Sequence, residues 1–459
     1  MFIYDYLSRK PSVGVILLAC LTIIQVHLNL VKYRFEDVIK WDVTGYYSYL
    51  PAVIIEKDVR LNFINDSTEA FYAGSKYAYI DDDNGNHVLK YPMGMSVLYA
   101  PFFLLAHLLA SPLGYPSDGF SDIYQLMIQF SGLFYVFVGL LHLRKLLLEF
   151  FNEKISAVSL IFVFFGTNLL YYSAVEAAMS HAYTFSLFSV FLSYVHRFYQ
   201  SPAFKFVLIL SLCAGFIILI RPFNVFLVLA LFLYGISSRV EFRQRLSFIR
   251  THPYYFISFI CIASLIVLPQ FLYYLYVTGN FLVFSYGAEK FYFEQPHIVD
   301  FLVGFRKGWF IYTPVMAIAV LGIFRMRNHL VSPFRLSVMI ILPLYVYLLS
   351  SWWCWWYGGS FSQRAMIDIY PLLALSLTCV FETISRSARN LKVTFYGFLI
   401  FLLMLNIFQT IQYKYNIIDY DGMTFNAYVN VFGSLDSDRI DSTLLDKPDY
   451  ENAVKGLSE

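Results

Sequence analysis

A carboxylate, three cations, a second carboxylate and an imidazole stand out in this chain for the chemistry that they could do together. Asp42, in "VIKWDVTGYYSYLPA", follows the first long apolar stretch and is suited to take a proton from an attacking hydroxyl. Lys90 precedes "YPMGMS", and Arg221 opens "RPF" between two apolar runs. Arg364, in "GGSFSQRAMID", begins a helix, where the helix N-terminus and a guanidinium together make an anion site. Glu176 and His181, in "YYSAVEAAMSHAYTF", flank the end of an otherwise apolar helix. Ionisable groups at such depth default to function.

Each residue also has a plainer reading. Asp42 beside Trp41 reads equally as an interfacial residue next to an aromatic anchor, with Tyr46, Tyr47 and Tyr49 holding the loop at headgroup depth. Arg221 and Arg364 could mark an interface by snorkelling, and Arg364 is spaced to pair with Asp368 one turn on. The run "WWCWWYGG" is most cheaply an aromatic belt, and Asp81, Asp82 and Asp83 before "NGN" read as a solvated turn.

The elements that must position these residues follow from composition. Of 459 residues, 59% are hydrophobic and 20% aromatic, and only 14% are charged, against about 25% in soluble domains. A soluble core cannot absorb this much apolar surface, so the expected class is an all-α polytopic membrane protein. A net charge of +2 gives no bias toward nucleic acid. Five cysteines without paired spacing read as buried hydrophobes, and no His/Asp/Glu cluster has metal-ligand spacing, so neither disulfide, metal nor cofactor is expected. Residues 11–30 lack a cleavage site and read as a retained first helix.

Spans are expected near 11–30, 123–143, 155–173, 177–195, 204–220, 223–236, 255–276, 309–324, 334–350, 365–384 and 393–411, eleven in all. Residues 93–111 are a twelfth candidate, interrupted by Pro101. Charge arbitrates. About half of the 33 Lys and Arg fall in six clusters: Arg9/Lys10, Arg144/Lys145/Lys154, Arg197/Lys205, Arg239/Arg243/Arg245/Arg250, Arg325/Arg327/Arg335 and Arg386/Arg389/Lys392. All six share the cytoplasmic side if 93–111 lies in the interface and does not cross. The expectation is therefore a membrane domain over 1–413, N-terminus inside, with 31–122 as one large external loop and 414–459 as a short polar external tail. The candidate residues all then fall on the external face of a cell inner membrane.

That set of groups suits transfer of a sugar from a polyprenyl-phosphate donor to a hydroxyl of a glycan, lipid or protein. Cations converging from the loops, Arg221 and Arg364 among them, would hold the donor phosphate and stabilise the leaving charge. Asp42 would be the general base, with Glu176 and His181 orienting acceptor or sugar. Two other readings stay open: a transporter or flippase for a lipid-linked or anionic solute, and a non-catalytic partner in envelope glycan assembly.

The order of parts resembles the GT-C superfamily of polytopic glycosyltransferases, which includes protein O-mannosyltransferases and aminoarabinose transferases. "KWDVTGYYSYLPA" is similar to the start of that family's first external loop, and "KYPMGMSVLYAPFFLLAH" to its Lys–aromatic–Pro approach to a juxtamembrane helix. "FGTNLLYYSAVEAAMSHAYTFSL" and "WWYGGSFSQRAMIDIYPLLAL" resemble segments of uncharacterised bacterial members. The resemblance covers about residues 10 to 410. It implies a GT-C-like fold, Asp42 as the catalytic acidic residue and Lys90 as a donor-phosphate contact. The family's commonest pattern has an acidic pair, whereas here a single Asp follows Trp41, with Glu36 and Asp37 earlier.

Overall fold

The computed structural model describes residues 7–34, 38–62, 78–82 and 84–457. Glu36, Asp37 and Asp83 lie outside the described residues. The chain is an all-α membrane protein, and the one sheet among the described residues is a two-stranded hairpin.

In chain order the helices that matter here are α1 (Pro11–Arg34), α2 (Asp42–Tyr47), α3 (Tyr49–Ile54), α4 (Gly94–Ala110), α5 (Asp122–Leu148), α6 (Glu153–Phe165), α7 (Leu169–Ala174), α8 (Ser180–Gln200) and α9 (Phe204–Ile220). After them come α10 (Leu229–Leu233), α11 (Arg239–Thr251), α12 (Pro253–Thr278), α13 (Ile298–Val303), α14 (Trp309–Tyr312), α15 (Val315–Gly322), α16 (Arg335–Ser350), α17 (Tyr370–Ser385) and α18 (Arg389–Lys414). The tail adds α19 (Phe425–Val431) and α20 (Tyr450–Val454). Among the described residues, seven helical segments are long and apolar enough to cross a membrane.

Several expected spans are discontinuous. The stretch 155–173 breaks at Gly166-Thr167-Asn168 between α6 and α7. Thr167 Oγ1 accepts from Leu169 N (3.1 Å), and the Asn168 amide bonds Tyr370 and the Phe361 carbonyl, so side chains satisfy the interrupted backbone. The stretch 223–236 is a 3₁₀ turn, Pro222–Val228, running into the single turn of α10. The stretch 309–324 is split by Pro314, which lacks the N–H a continuous helix needs.

The six basic clusters gather at one end of the bundle. Ser12 Oγ bridges Arg144 and Glu153, Phe151 stacks on His329 at 4.7 Å, and His329 bonds Glu382 (2.7 Å). Phe150 meets His196 at 4.7 Å, Tyr234 meets Phe334 at 4.9 Å, and the Arg245 guanidinium lies 3.5 Å above Tyr199. The 17 residues of α9 carry the chain about 26 Å from that end to Arg221, close to the thickness of a hydrocarbon core.

The segment Gly94–Leu113, which contains α4, is long and apolar enough to cross, yet both ends of α4 sit at the far end from the basic clusters. Gly94 packs so tightly on the backbone of Leu219 and Ile220 that a Cβ there would collide. Ser96 Oγ donates to the Tyr46 carbonyl, and His107 bonds Tyr124 (2.5 Å) at the start of α5. The hairpin pairs Tyr79–Asp81 with His87–Leu89. Its turn is held as expected, with Asp82 Oδ1 accepting from Asn84 N (2.9 Å) and Asn86 N (2.8 Å) and with Gly85 at φ 78°.

Two plain readings are corrected. Tyr46, Tyr47 and Tyr49 are core residues, at most 6% exposed, so they pack the loop onto the bundle and do not anchor it at a lipid surface. The polar tail is tied to itself and to the bundle: Lys447 bonds Asp419 (2.7 Å) and Asp421 (3.0 Å), Tyr292 bonds the Val454 carbonyl (2.7 Å), and Tyr450 bonds Asp421 (3.0 Å). The tail covers the tryptophan run, in which Trp355 and Trp356 are buried, so these two do not form a lipid-facing belt.

Candidate active site

Asp42 is the first residue of α2, entered through Trp41 in a left-handed conformation (φ 51°). That turn sends the carboxylate inward, where Oδ2 accepts from Arg364 (2.7 Å) and Oδ1 from the Tyr91 hydroxyl (2.7 Å). Its side chain stays 24% exposed and that of Arg364 13%. Burial works to raise the Asp42 carboxyl, but Arg364, the Tyr91 phenol, Lys90 and Arg221 together hold it below its ordinary 3.8. Asp42 is therefore a carboxylate at neutral pH, and both oxygens are occupied.

Lys90 follows the second hairpin strand and pairs with Glu289 from the segment between α12 and α13. The same segment supplies Ser285, whose hydroxyl donates to the Lys90 carbonyl (2.6 Å), and Tyr286, whose ring lies 5.7 Å from the ammonium.

Arg221 caps α9 in extended backbone and turns inward, 8% exposed, so it does not snorkel. Its Nη2 donates to His181 Nε2 (3.1 Å) and reaches the Tyr46 hydroxyl (3.5 Å). Arginine has no lone pair to offer, so Nε2 must be the acceptor and the imidazole proton sits on Nδ1. That proton is donated to Asp368 Oδ1 (3.0 Å). Asp368 Oδ2 accepts from Asn224 (3.3 Å) and from Tyr345 (3.1 Å), and Tyr345 also reaches Asn224 Oδ1 (2.5 Å). The one-turn pairing of Arg364 with Asp368 does not form. The six-residue 3₁₀ turn Arg364–Ile369 sends Arg364 to Asp42 and Asp368 to His181.

Glu176 lies in the bend between α7 and α8, with Tyr171 donating to it (3.1 Å). Burial raises its carboxyl above 4.5, while Arg364 and Tyr171 pull it down. Lys307, 1% exposed, donates to the carbonyls of Ser360 and Tyr420, and burial pushes its ammonium down to about 7.

All six candidate residues are thus brought to one end of the bundle. Asp42, Lys90, Arg221, Arg364 and Glu176 act on one another electrostatically, and His181 is bonded to Arg221. Reasoning from the sequence missed Tyr91, Asn224, Tyr345 and the pairing role of Glu289. Tyr91 stands next to Lys90 and Asn224 three residues past Arg221, so proximity to the marked cations was the available signal. Among the described residues no group of three or more His, Cys, Asp or Glu is placed to hold a metal ion. A furrow of about 610 Å³ lined by Ile318, Leu321, Phe395 and Phe398 is apolar and reaches Arg325 in a basic cluster, away from the polar site.

Asp42 therefore lies within electrostatic reach of three cations, with Arg364 bonded to it, Lys90 bonded to Glu289 and Arg221 bonded to His181. Neither a known protein family, nor a curated protein, nor a solved structure matches the chain.

Proposed function

We propose that the chain is a membrane glycosyltransferase of the GT-C kind. It would move a sugar from a polyprenyl-phosphate donor to a hydroxyl acceptor, which is a glycan, a lipid or a protein, at the outer face of a cell membrane. The observation that carries this reading is the Asp42–Arg364 pair, with Tyr91 on the second carboxylate oxygen and Lys90 and Arg221 within electrostatic reach. In the reaction the donor phosphate draws Arg364, Arg221 and Lys90 to itself, which frees Asp42 to take the acceptor proton. The acceptor oxygen then bonds to the sugar carbon as the carbon–oxygen bond to phosphate breaks, and the cations stabilise the departing charge.

Eleven spans, with the N-terminus cytoplasmic and α4 lying in the outer interface, agree with this reading. Gathering of the six basic clusters at one end supports that topology, because the positive-inside rule assigns such loops to the cytoplasm. The discontinuous stretches at Gly166–Asn168 and Pro314 favour a second reading, a transporter for a lipid-linked or anionic solute.

Transfer from labelled polyprenyl-phosphate sugars by purified protein separates the two. Wild type should transfer, and Asp42→Asn should lose about a hundredfold or more while still folding. Transfer by neither protein, across a panel of donors and acceptors, with uptake of the donor into vesicles, would favour the transporter. Equal transfer by both proteins would keep the enzyme and move the base to Glu176.

A further inference from the structure

We propose that α11 is an anionic-lipid-binding helix, seated in the headgroup layer of the membrane leaflet at the basic end of the bundle. It begins at a well-made cap: Ser238 Oγ accepts from Glu241 N, and the Glu241 carboxylate accepts from Ser237 N (2.6 Å). One face docks on the bundle. Arg245 lies 3.5 Å over the Tyr199 ring and donates to the Tyr234 carbonyl, and the Phe248 ring meets Phe198, Tyr199 and Phe256. These contacts fix the rotation of the helix.

What remains outward is a strip of two kinds. Phe242 and Leu246, one turn apart, are 51% and 38% exposed. Beside them on the helix surface run Arg239, Arg243 and Arg250, all exposed and none of them in an ion pair among the described residues. Bulk water suits such a strip poorly. A bilayer surface suits it well, with the aromatic and aliphatic groups at the acyl edge and the guanidiniums at the phosphates.

Continuity selects lipid over another partner. Through His252 the chain passes directly into α12, an apolar helix long enough to cross a membrane, whose first turns expose Tyr254, Ile257 and Ile260. The outward strip of α11 therefore continues a surface that already faces acyl chains. Three exposed arginines, without an ion pair among the described residues, select anionic headgroups over zwitterionic ones.

The test is thermal unfolding of the full chain in neutral detergent, titrated with phosphatidylglycerol or with phosphatidylcholine. Wild type should be protected by phosphatidylglycerol at lower concentration than by phosphatidylcholine, and salt should weaken that preference. The variant R239Q/R243Q/R250Q should need roughly tenfold more phosphatidylglycerol or beyond, with its response to phosphatidylcholine unchanged. A matched variant at another basic cluster, R386Q/R389Q/K392Q, should keep the wild-type response. Equal losses in both variants, no loss in the first, or full protection by inorganic phosphate alone would overturn the proposal.

Discussion

The two ends of the bundle use charge in opposite ways. At the basic end most of the clustered cations are exposed, and Arg386, itself 75% exposed, pairs with Glu382 one turn back; only the pairs of Arg144 with Glu153 and His329 with Glu382 are drawn in there among the described residues. At the site end, charges are drawn inward and paired over long sequence distances, Arg364 with Asp42, Lys90 with Glu289 and His181 with Asp368. Surface pairs contribute little stability, and buried ones are often no better than apolar residues of the same volume. An insertion rule accounts for the first set. The second set costs desolvation, and the geometry that it fixes is the return.

The largest effect that this contrast predicts is on stability. Arg364→Ala would leave Asp42 part-buried without its cation, which should cost about 2 kcal/mol after allowance for its residual exposure. Arg386→Gln removes a cation that is 75% exposed and should change stability by about 0.5 kcal/mol or less. Thermal melts of the two proteins in detergent compare them directly. Equal losses would erase the distinction between the ends.

An effect of similar size is expected at Asp368, which touches no solvent and is hydrogen-bonded to His181, itself bonded to Arg221. Asp368→Asn replaces one acceptor with a donor, facing either the His181 Nδ1 proton or the Asn224 amide, and should cost about 1–3 kcal/mol. Because the imidazole then loses its orienting partner, Arg221 loses its aim. In the transfer assay the Michaelis constant for donor should rise more than kcat falls. A fall in kcat alone would argue against a positioning role.

How the chain divides into these ends was readable from charge alone, because basic clusters recur between apolar runs with the alternation that insertion imposes. The candidate residues were readable because Asp, Glu, Arg and Lys are rare in such a chain, so each one at an apolar boundary draws attention. Their partners were not. Tyr91 and Tyr345 are two of 38 tyrosines, and nothing local marks them as ligands of a carboxylate. Arg364 has an acceptor one turn away in sequence, and only a 3₁₀ turn in place of an α-turn aims the two side chains apart. The inward docking of the tail depends on Lys307 meeting the Tyr420 carbonyl across 113 residues, a pairing no local pattern encodes.

The smallest effect concerns Glu176 and is read through pH. Its carboxyl is raised above 4.5, chiefly by burial, so the folded state holds the proton more tightly than the unfolded chain does. The stability from this group is then fully present below 4.5 and lost as pH rises through the elevated folded value. Glu176→Gln keeps the shape and the bond from Tyr171 but removes the titration. The variant should match wild type at acid pH and become the more stable protein as the medium approaches neutrality. Asp42 slopes the other way, since its depressed carboxyl gives stability that is lost only as pH falls below the ordinary carboxylate range. Melting curves of wild type and Glu176→Gln across that range isolate the glutamate. Parallel curves would mean that Arg364 already offsets its burial, and that both carboxylates of the site are ionised together.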